Sequence, residues 1–342
     1  MYSFMNDYSE GAHPRVLEQL TKFNLEKNTG YGLDIHSNNA KKYIKKLIQK
    51  DKVDIHFIPG GTQTNLLVIS SFLRPHQGVI TAATGHINVH ETGAIEATGH
   101  KVIGIPCKDG KLSSDDIQES IDYHADEHMV QPKMVYISNS TELGSIYTRD
   151  ELISINKICK ENGLILFLDG ARLGSALTCK SNDMELKDIA ELVDVFYIGG
   201  TKNGALLGEA LVIVREDLKE DFRYLIKQRG AMMAKGFVLG IQFEALFEDN
   251  LFFELATHAN KMSEKLANIF KDFKFDFYVE PCSNQLFPIL PNSLMEKLSN
   301  EFLYSVEKRI DEKNVAVRFV TSWATTEDDV AAVENFLKDI RI

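Results

Sequence analysis

Four short stretches of the chain carry residue types that could do chemistry, and three of them begin where an apolar run ends. In Phe57-Ile58-Pro59-Gly60-Gly61-Thr62-Gln63-Thr64-Asn65 such a run passes through two glycines into helix-like sequence. A turn of this kind bares backbone N–H groups at a positive helix end, and the Thr62 hydroxyl adds a donor. It could seat a phosphate, although an ordinary strand-to-helix turn uses the same residues. In Leu166-Phe167-Leu168-Asp169-Gly170-Ala171-Arg172 a strand pattern ends in Asp169, with Arg172 three positions on. The carboxylate could keep a heterocyclic nitrogen protonated and the guanidinium could meet a phenolate or carboxylate. A purely structural Asp–Arg pair fits equally well.

The third stretch, Phe196-Tyr197-Ile198-Gly199-Gly200-Thr201-Lys202-Asn203-Gly204, places a lysine just past a strand end, 33 residues after Asp169. Ile198 and Ala205-Leu206-Leu207 would strip water from Lys202, lower its pKa and prepare it for Schiff-base chemistry; the alternative is a surface-loop lysine. The fourth, Thr84-Gly85-His86-Ile87-Asn88-Val89-His90-Glu91, sets His86 and His90 four apart. On a helix they could hold zinc with His124 or His128 as third ligand, as in a zinc hydrolase. The order H-x-x-x-H-E departs from H-E-x-x-H, and a histidine stacked on a planar ring is the other reading. The order of the four is more telling than any one of them. A phosphate-type turn, a histidine, a strand-end Asp and a strand-end Lys are followed by Arg318 on a late strand. Pyridoxal phosphate needs that set: a phosphate cup, a ring stack, an acid on the pyridine nitrogen, an imine lysine and a carboxylate anchor.

These residues must be positioned by an alternating α/β framework. Apolar runs predict strands at Val53–Ile58, Val79–Thr81, Lys101–Ile105, Met134–Ser138, Leu164–Asp169, Val195–Gly199 and Ala210–Arg215. Helix-like segments such as Arg149–Asn162 lie between them, which argues for a mostly parallel seven-stranded sheet covered on both faces. Lys41–Lys52, with six lysines and Ile44, Leu47 and Ile48 on one side, reads as a helix with a solvated outer face. The Phe-rich run Phe243–Phe253 reads as core in preference to interface. After about residue 250 the rhythm changes: a helix over 251–271, strands Phe275–Val279 and Gln285–Ile289, a helix around Ser293–Arg309, and strand Val315–Val320. A capping-box spacing at Thr325-Thr326-Glu327-Asp328-Asp329 opens a last helix. The expected division is a large domain over 1–250 and a small α+β domain over 251–342.

Composition narrows the partners. The 342 residues carry 38 Lys plus Arg against 49 Asp plus Glu, a net charge of −11. That balance disfavours phosphate backbones and anionic lipid. No apolar run reaches the ~18–20 residues of a membrane span, and the start has no signal-peptide pattern. The four scattered cysteines, with no C-x-x-C, predict reduced thiols and a cytoplasmic setting.

On Gly61-Thr62 with Asn65, His86 followed by Glu91-Thr92-Gly93, Asn139 after its strand, Leu168-Asp169-Gly170-Ala171-Arg172, and Lys202, the chain resembles the threonine aldolase and β-eliminating lyase family of fold type I pyridoxal phosphate enzymes. The resemblance spans essentially the whole length. It implies an aspartate-aminotransferase-like fold and retro-aldol cleavage of L-threonine or L-allo-threonine to glycine and an aldehyde, through an aldimine on Lys202. It further implies that His86 stacks on the cofactor ring, Asp169 pairs with the ring nitrogen, and Gly61 and Thr62 hold the phosphate, with Asn139 among the cofactor contacts. Arg172 and Arg318 would take the substrate carboxylate with help from Asn6, and His128 would handle the β-hydroxyl. Lys235, in Gly230-Ala231-Met232-Met233-Ala234-Lys235, would replace a phosphate-binding arginine from its own or a neighbouring subunit. No metal is expected in this reading, and the enzyme would be a homo-oligomer, a dimer or tetramer, with sites at subunit interfaces. The chain departs from the family pattern in carrying Phe167 where a histidine is usual, Thr201 in place of serine, and Asn6-Asp7 in place of Ser-Asp. A β-eliminating lyase or an aminotransferase would use the same lysine.

Overall fold

The computed structural model describes residues 1–340. Its centre is a sheet of seven strands: β1 (Asp54–Ile58), β2 (Gln77–Ala82), β3 (Val102–Ile105), β4 (Gln131–Ser138), β5 (Ile165–Asp169), β6 (Val195–Gly199) and β7 (Glu209–Ile213). They lie in the order β1-β7-β6-β5-β4-β2-β3. β7 runs antiparallel to both neighbours, and the other pairings are parallel. All seven expected strands are present, with β2 and β4 starting earlier than the apolar pattern alone indicates. Every residue of β2, β5, β6 and β7 is buried. Helices cover both faces, which is why these strands read as continuous apolar runs and not as alternations.

The helices begin and end for local reasons. Thr148 caps Arg149–Glu161: its hydroxyl accepts from the Glu151 N–H, and the Glu151 carboxylate accepts from the Thr148 N–H. The lysine-rich segment forms helix Ile35–Ile48, burying Ile44 and Ile48 and leaving Lys42 and Lys46 exposed. Phe243, Leu246, Phe247 and Phe252 are buried in the large core.

The C-terminal part is organised on β11 (Asn314–Val320), which pairs antiparallel with β8 (Gln285–Leu286), β9 (Ile289–Pro291) and β10 (Ser305–Arg309). Helices Leu251–Asp272 and Glu327–Asp339 pack against it through a core that includes Leu266, Phe270, Phe319 and Val333. The expected capping box is formed by Thr326 and Asp329. Two expectations fail here. Phe275–Val279 makes only an isolated bridge, Phe277 to Pro288, closed by the Tyr278 N–H to the Phe287 carbonyl at 2.9 Å and the Ile289 N–H to the Asp276 carbonyl at 2.8 Å. The expected helix Ser293–Arg309 stops at Glu301, and Ser305–Arg309 forms β10, where pairing with β11 overrides local helix preference.

The amino terminus is tied to this C-terminal part. Tyr2–Ser3 pairs in parallel with Phe302–Leu303, and the Phe4 side chain is fully buried in the same core as Phe319. The expected boundary at 250 falls at the start of helix Leu251–Asp272. Leu251, Phe252 and Leu255 of that helix pack in the large core, and Met262, Leu266 and Phe270 in the small one.

Candidate active site

The carboxyl ends of β1, β4, β5 and β6 finish along one edge of the sheet. Ser138 is the register partner of Asp169, and Glu209 is the partner of both Ile58 and Gly199. Because β7 is antiparallel, its first residue arrives where its neighbours end. A cavity of about 520 Å³ opens there, a volume suited to a cofactor-sized ligand. Gly61, Thr62, His86, Asp169, Arg172, Lys202 and Arg318, all expected from the sequence, line it together.

Asp169 is held by four donors. The Tyr197 hydroxyl donates to Oδ1 at 2.5 Å and the Ala171 N–H to the same oxygen at 2.9 Å. The Tyr136 hydroxyl and Asn65 Nδ2 (3.2 Å) donate to Oδ2. Tyr136 on β4 and Tyr197 on β6 flank β5, and Phe167 packs its ring between them, at 5.5 Å and 6.4 Å between centroids. With Phe167 two residues before the Asp, polar support comes from the neighbouring strands. Burial, then the Asp169 charge, push both tyrosine hydroxyls well above their ordinary pKa, so they remain donors. Gly170 is required here, since a Cβ would lie 1.8 Å from the Tyr197 carbonyl oxygen.

His86 opens the short helix His86–Val89. Its Nδ1 lies 2.8 Å from Oε1 of buried Glu91, which also accepts from Asn65 Nδ2 at 2.8 Å. One polar chain therefore runs His86–Glu91–Asn65–Asp169 and fixes the imidazole against the cavity.

Lys202 makes no hydrogen bond or ion pair among the described residues; its ammonium lies 5.8 Å from the ring centre of Tyr8. Burial, then the Arg172 charge, push it below its ordinary pKa, which favours the nucleophilic amine. Arg172 grips Asp7 through Nε (2.6 Å) and Nη2 (3.0 Å), leaving Nη1 unpartnered among the described residues. Burial opposes the Asp7 carboxylate, but Arg172 and Lys202 outweigh it and hold its carboxyl below the usual range. Arg318, on β11, donates Nε to Ser305 Oγ at 3.1 Å and reaches the cavity from the C-terminal part of the chain.

At the opposite wall, helix Gly61–Phe72 closes its first bond from the Thr64 N–H to the Gly60 carbonyl at 3.0 Å. The N–H groups of Gly61, Thr62 and Gln63 are open for an anion. Thr201 lies on the same cavity and donates its hydroxyl to Glu209 Oε1 at 3.0 Å. Burial pushes the Glu209 carboxyl up to about 8. An anion cradle, an acid for a ring nitrogen, an imidazole and an unpaired amine in one cavity are a donor set that fits pyridoxal phosphate.

Four expected residues are placed differently. His128 is exposed on the loop before β4, its N–H bonded to Asp126 Oδ1. It lies at the amino end of an eight-residue strand whose carboxyl end meets the cavity, roughly 20 Å away at ~3.3 Å per residue. It cannot be the base in its own subunit. Asn6 turns inward to its own loop, accepting from the Tyr8 N–H and Ser9 hydroxyl, while Asp7 and Tyr8 take the places at the site. Asn139 is buried and accepts from the Tyr147 N–H at 3.3 Å, which shapes the loop behind the cavity; Ser138 and Ser140 face it instead. Lys235 is exposed and does not line the cavity of its own chain. His86 and His90 are close, 5.5 Å between ring centres, but among the described residues no group of three metal-ligating side chains forms.

Tyr136, Tyr197, Glu142 and Glu209 are site residues given no role by the motif reading, and Asp7, named there only as part of Asn6-Asp7, is the partner of Arg172. The tyrosines were the most accessible of these, because each stands two residues before the end of a strand flanking β5 and so shares the face of Phe167 and Asp169.

The family model of the beta-eliminating lyases matches residues 7–289. The chain belongs to the beta-eliminating lyase family. Within that family's reach, a low specificity L-threonine aldolase of Pseudomonas aeruginosa is 30% identical, over 99% of this chain and 97% of the relative. A solved structure of Leishmania major threonine aldolase is 50% identical, covers 99% of each chain and superposes with a TM-score of 0.98. An aspartate aminotransferase from Thermus thermophilus is 10% identical, with a TM-score of 0.74 over 99% of this chain and 91% of its own; it shares the fold alone. The chain therefore has the fold type I architecture expected from its sequence.

Proposed function

We infer that the protein is a pyridoxal phosphate-dependent aldehyde-lyase that cleaves L-threonine and L-allo-threonine to glycine and acetaldehyde. The observation that carries this reading is the convergence of Lys202, Asp169, Arg172, Arg318 and the Gly61–Thr62 turn on one cavity, in a chain 50% identical to a threonine aldolase throughout its length.

The cofactor, when bound, supplies an electron sink conjugated to the Cα of an amino acid. Lys202 is the amine that would hold it, the Gly61, Thr62 and Gln63 N–H groups would take its phosphate, and Asp169 would pair with its ring nitrogen. The four donors on Asp169 hold that carboxyl group in one orientation at the end of its strand, where it would face the ring nitrogen. His86, fixed by Glu91, would lie on the ring face. Arg318 and the open Nη1 of Arg172 provide two positive groups for the substrate carboxylate. Fixing the carboxylate at one end of the amino acid orients the Cα–Cβ bond at the other.

We also propose that the enzyme is a cytoplasmic homo-oligomer with its sites near subunit boundaries. Supporting this, Tyr8 on the cavity wall is 53% exposed and Leu206, beside the lysine loop, 43%, in a chain whose cysteines are all free. No described helix is long and apolar enough to cross a membrane.

The test is product analysis on cofactor-loaded protein. Threonine and allo-threonine should each give equal amounts of glycine and acetaldehyde, and Lys202→Ala should abolish both the products and the cofactor's visible absorbance. Formation of pyruvate and ammonia from serine, with no aldehyde from threonine, would replace cleavage by elimination.

A further inference from the structure

Retro-aldol cleavage needs a group that accepts the proton of the β-hydroxyl, and the exposed loop position of His128 leaves that role open. Three carboxylates line the cavity: Asp169, Glu209 and Glu142. Asp169 has both oxygens occupied, by four donors in all. Glu209 accepts from the Thr201 hydroxyl on Oε1 and from the Gly200 N–H on Oε2 at 3.2 Å. Glu142 differs. Its Oε1 accepts from the His86 N–H at 2.9 Å and from the Ser138 hydroxyl at 2.8 Å, and its Oε2 has no hydrogen-bond partner among the described residues. One oxygen clamps the carboxyl between the end of β4 and the start of the His86 helix, and the other is left for a ligand.

Resting on the threonine-cleavage reading, we propose that Glu142 is the catalytic base that takes the β-hydroxyl proton, through Oε2. The O–H bond breaks toward Glu142, the oxygen's electrons form the carbonyl of the departing aldehyde, and the Cα–Cβ pair passes to the electron sink. Cα then gains a proton, so the reaction moves one proton from oxygen to carbon and needs no oxidant or reductant. The clamp suits this role, because the backbone N–H that positions Glu142 belongs to the same residue whose ring would lie on the cofactor.

The surroundings favour a strong base. Burial, then the Asp169 charge, raise the Glu142 carboxyl above its ordinary range, against the Ser138 hydrogen bond. The other charged or titratable groups facing it are His86 on the short helix, Tyr136 on β4, Arg172 after β5 and Tyr147 on the following loop.

Glu142→Gln keeps an Oε1 that can accept from both His86 and Ser138 while removing the base, and so separates chemistry from scaffolding. Cofactor-loaded wild type and variant are compared in two reactions: threonine cleavage, and exchange of the glycine Cα proton with deuterated water, which involves no β-hydroxyl. Threonine cleavage should fall by about 10²–10⁴-fold, the range for loss of a general base. Glycine exchange should stay near the wild-type rate, and residual cleavage should lack the acidic limb of the wild-type kcat/KM profile. Cleavage by the variant at the wild-type rate overturns the assignment, and so does a parallel fall in both reactions, which would mark Glu142 as a scaffold. Wild type that exchanges glycine but cleaves no β-hydroxy amino acid would instead overturn the aldolase reading on which the assignment rests.

Discussion

Replacing Asp7 by Asn probes how the amino-terminal arm is fastened to the site. In the native chain the Asp7 carboxylate is 1% exposed, is gripped by Arg172 at 2.6 and 3.0 Å, and accepts from Asn284 Nδ2 at 2.9 Å. Unit charges ~4 Å apart attract by roughly 4 kcal/mol at an effective dielectric of ~20. Removing one member of a buried pair typically costs about 3–5 kcal/mol, because the other charge is left uncompensated. Asn cannot repair this: its NH₂ would face donors from Arg172 or Asn284. Urea unfolding at neutral pH should therefore show Asp7→Asn destabilised by about 3–5 kcal/mol, a large part of the ~5–15 kcal/mol total of a typical protein. The pH dependence has a definite sign. The folded Asp7 pKa is depressed, so its contribution is present above the unfolded value near ~3.9 and is lost as pH falls through the folded value. The gap between variant and wild type should narrow in acid. A variant as stable as wild type at neutral pH, or a gap unchanged in strong acid, would refute the argument that this ion pair holds the arm.

Two further predictions concern the scaffold. Gly170→Ala should destabilise by more than ~4 kcal/mol, because a Cβ would stand 1.8 Å from the Tyr197 carbonyl; Gly60→Ala, where nothing lies within 4 Å, should fold normally, and soluble yield with urea midpoints will tell them apart. His36 is buried between Glu26 (2.8 Å) and Glu244 (2.5 Å); burial opposes its charge but these carboxylates win and raise its pKa. Its contribution should be complete below about pH 6.5 and lost as pH rises through the raised folded value, so His36→Gln should flatten that decline in urea midpoints measured across the range.

The large sheet was legible because its strands are buried on both faces, so that length and apolarity alone mark them. Asp169 and Lys202, each at or just past a strand end, line the same cavity. His128, whose role the resemblance alone implied, lies ahead of its strand, and a residue preceding a parallel strand emerges at the end of the sheet away from the cavity. Asp7 was hidden for a different reason: nothing local to a coil residue near the terminus announces a partner 165 positions away. Glu142 and Glu209 look like loop and strand-end acids until the fold strips water from them. Ser305–Arg309 misled because a short, largely exposed strand takes its conformation from a partner and not from its own composition.

Residues 2–8 find their partners only in sequence that is translated much later. Tyr2–Ser3 waits for Phe302–Leu303, and Asp7 waits for Asn284 as well as Arg172. A nascent chain can complete the seven-stranded sheet and its lysine loop while the ribosome is still translating the C-terminal part. The cavity wall that carries Tyr8, beside the Asp7–Arg172 pair, closes only after residues 284–303 have been made. The site therefore stays open to solvent through most of synthesis, and a fusion partner placed at the amino terminus would interfere with its last assembly step.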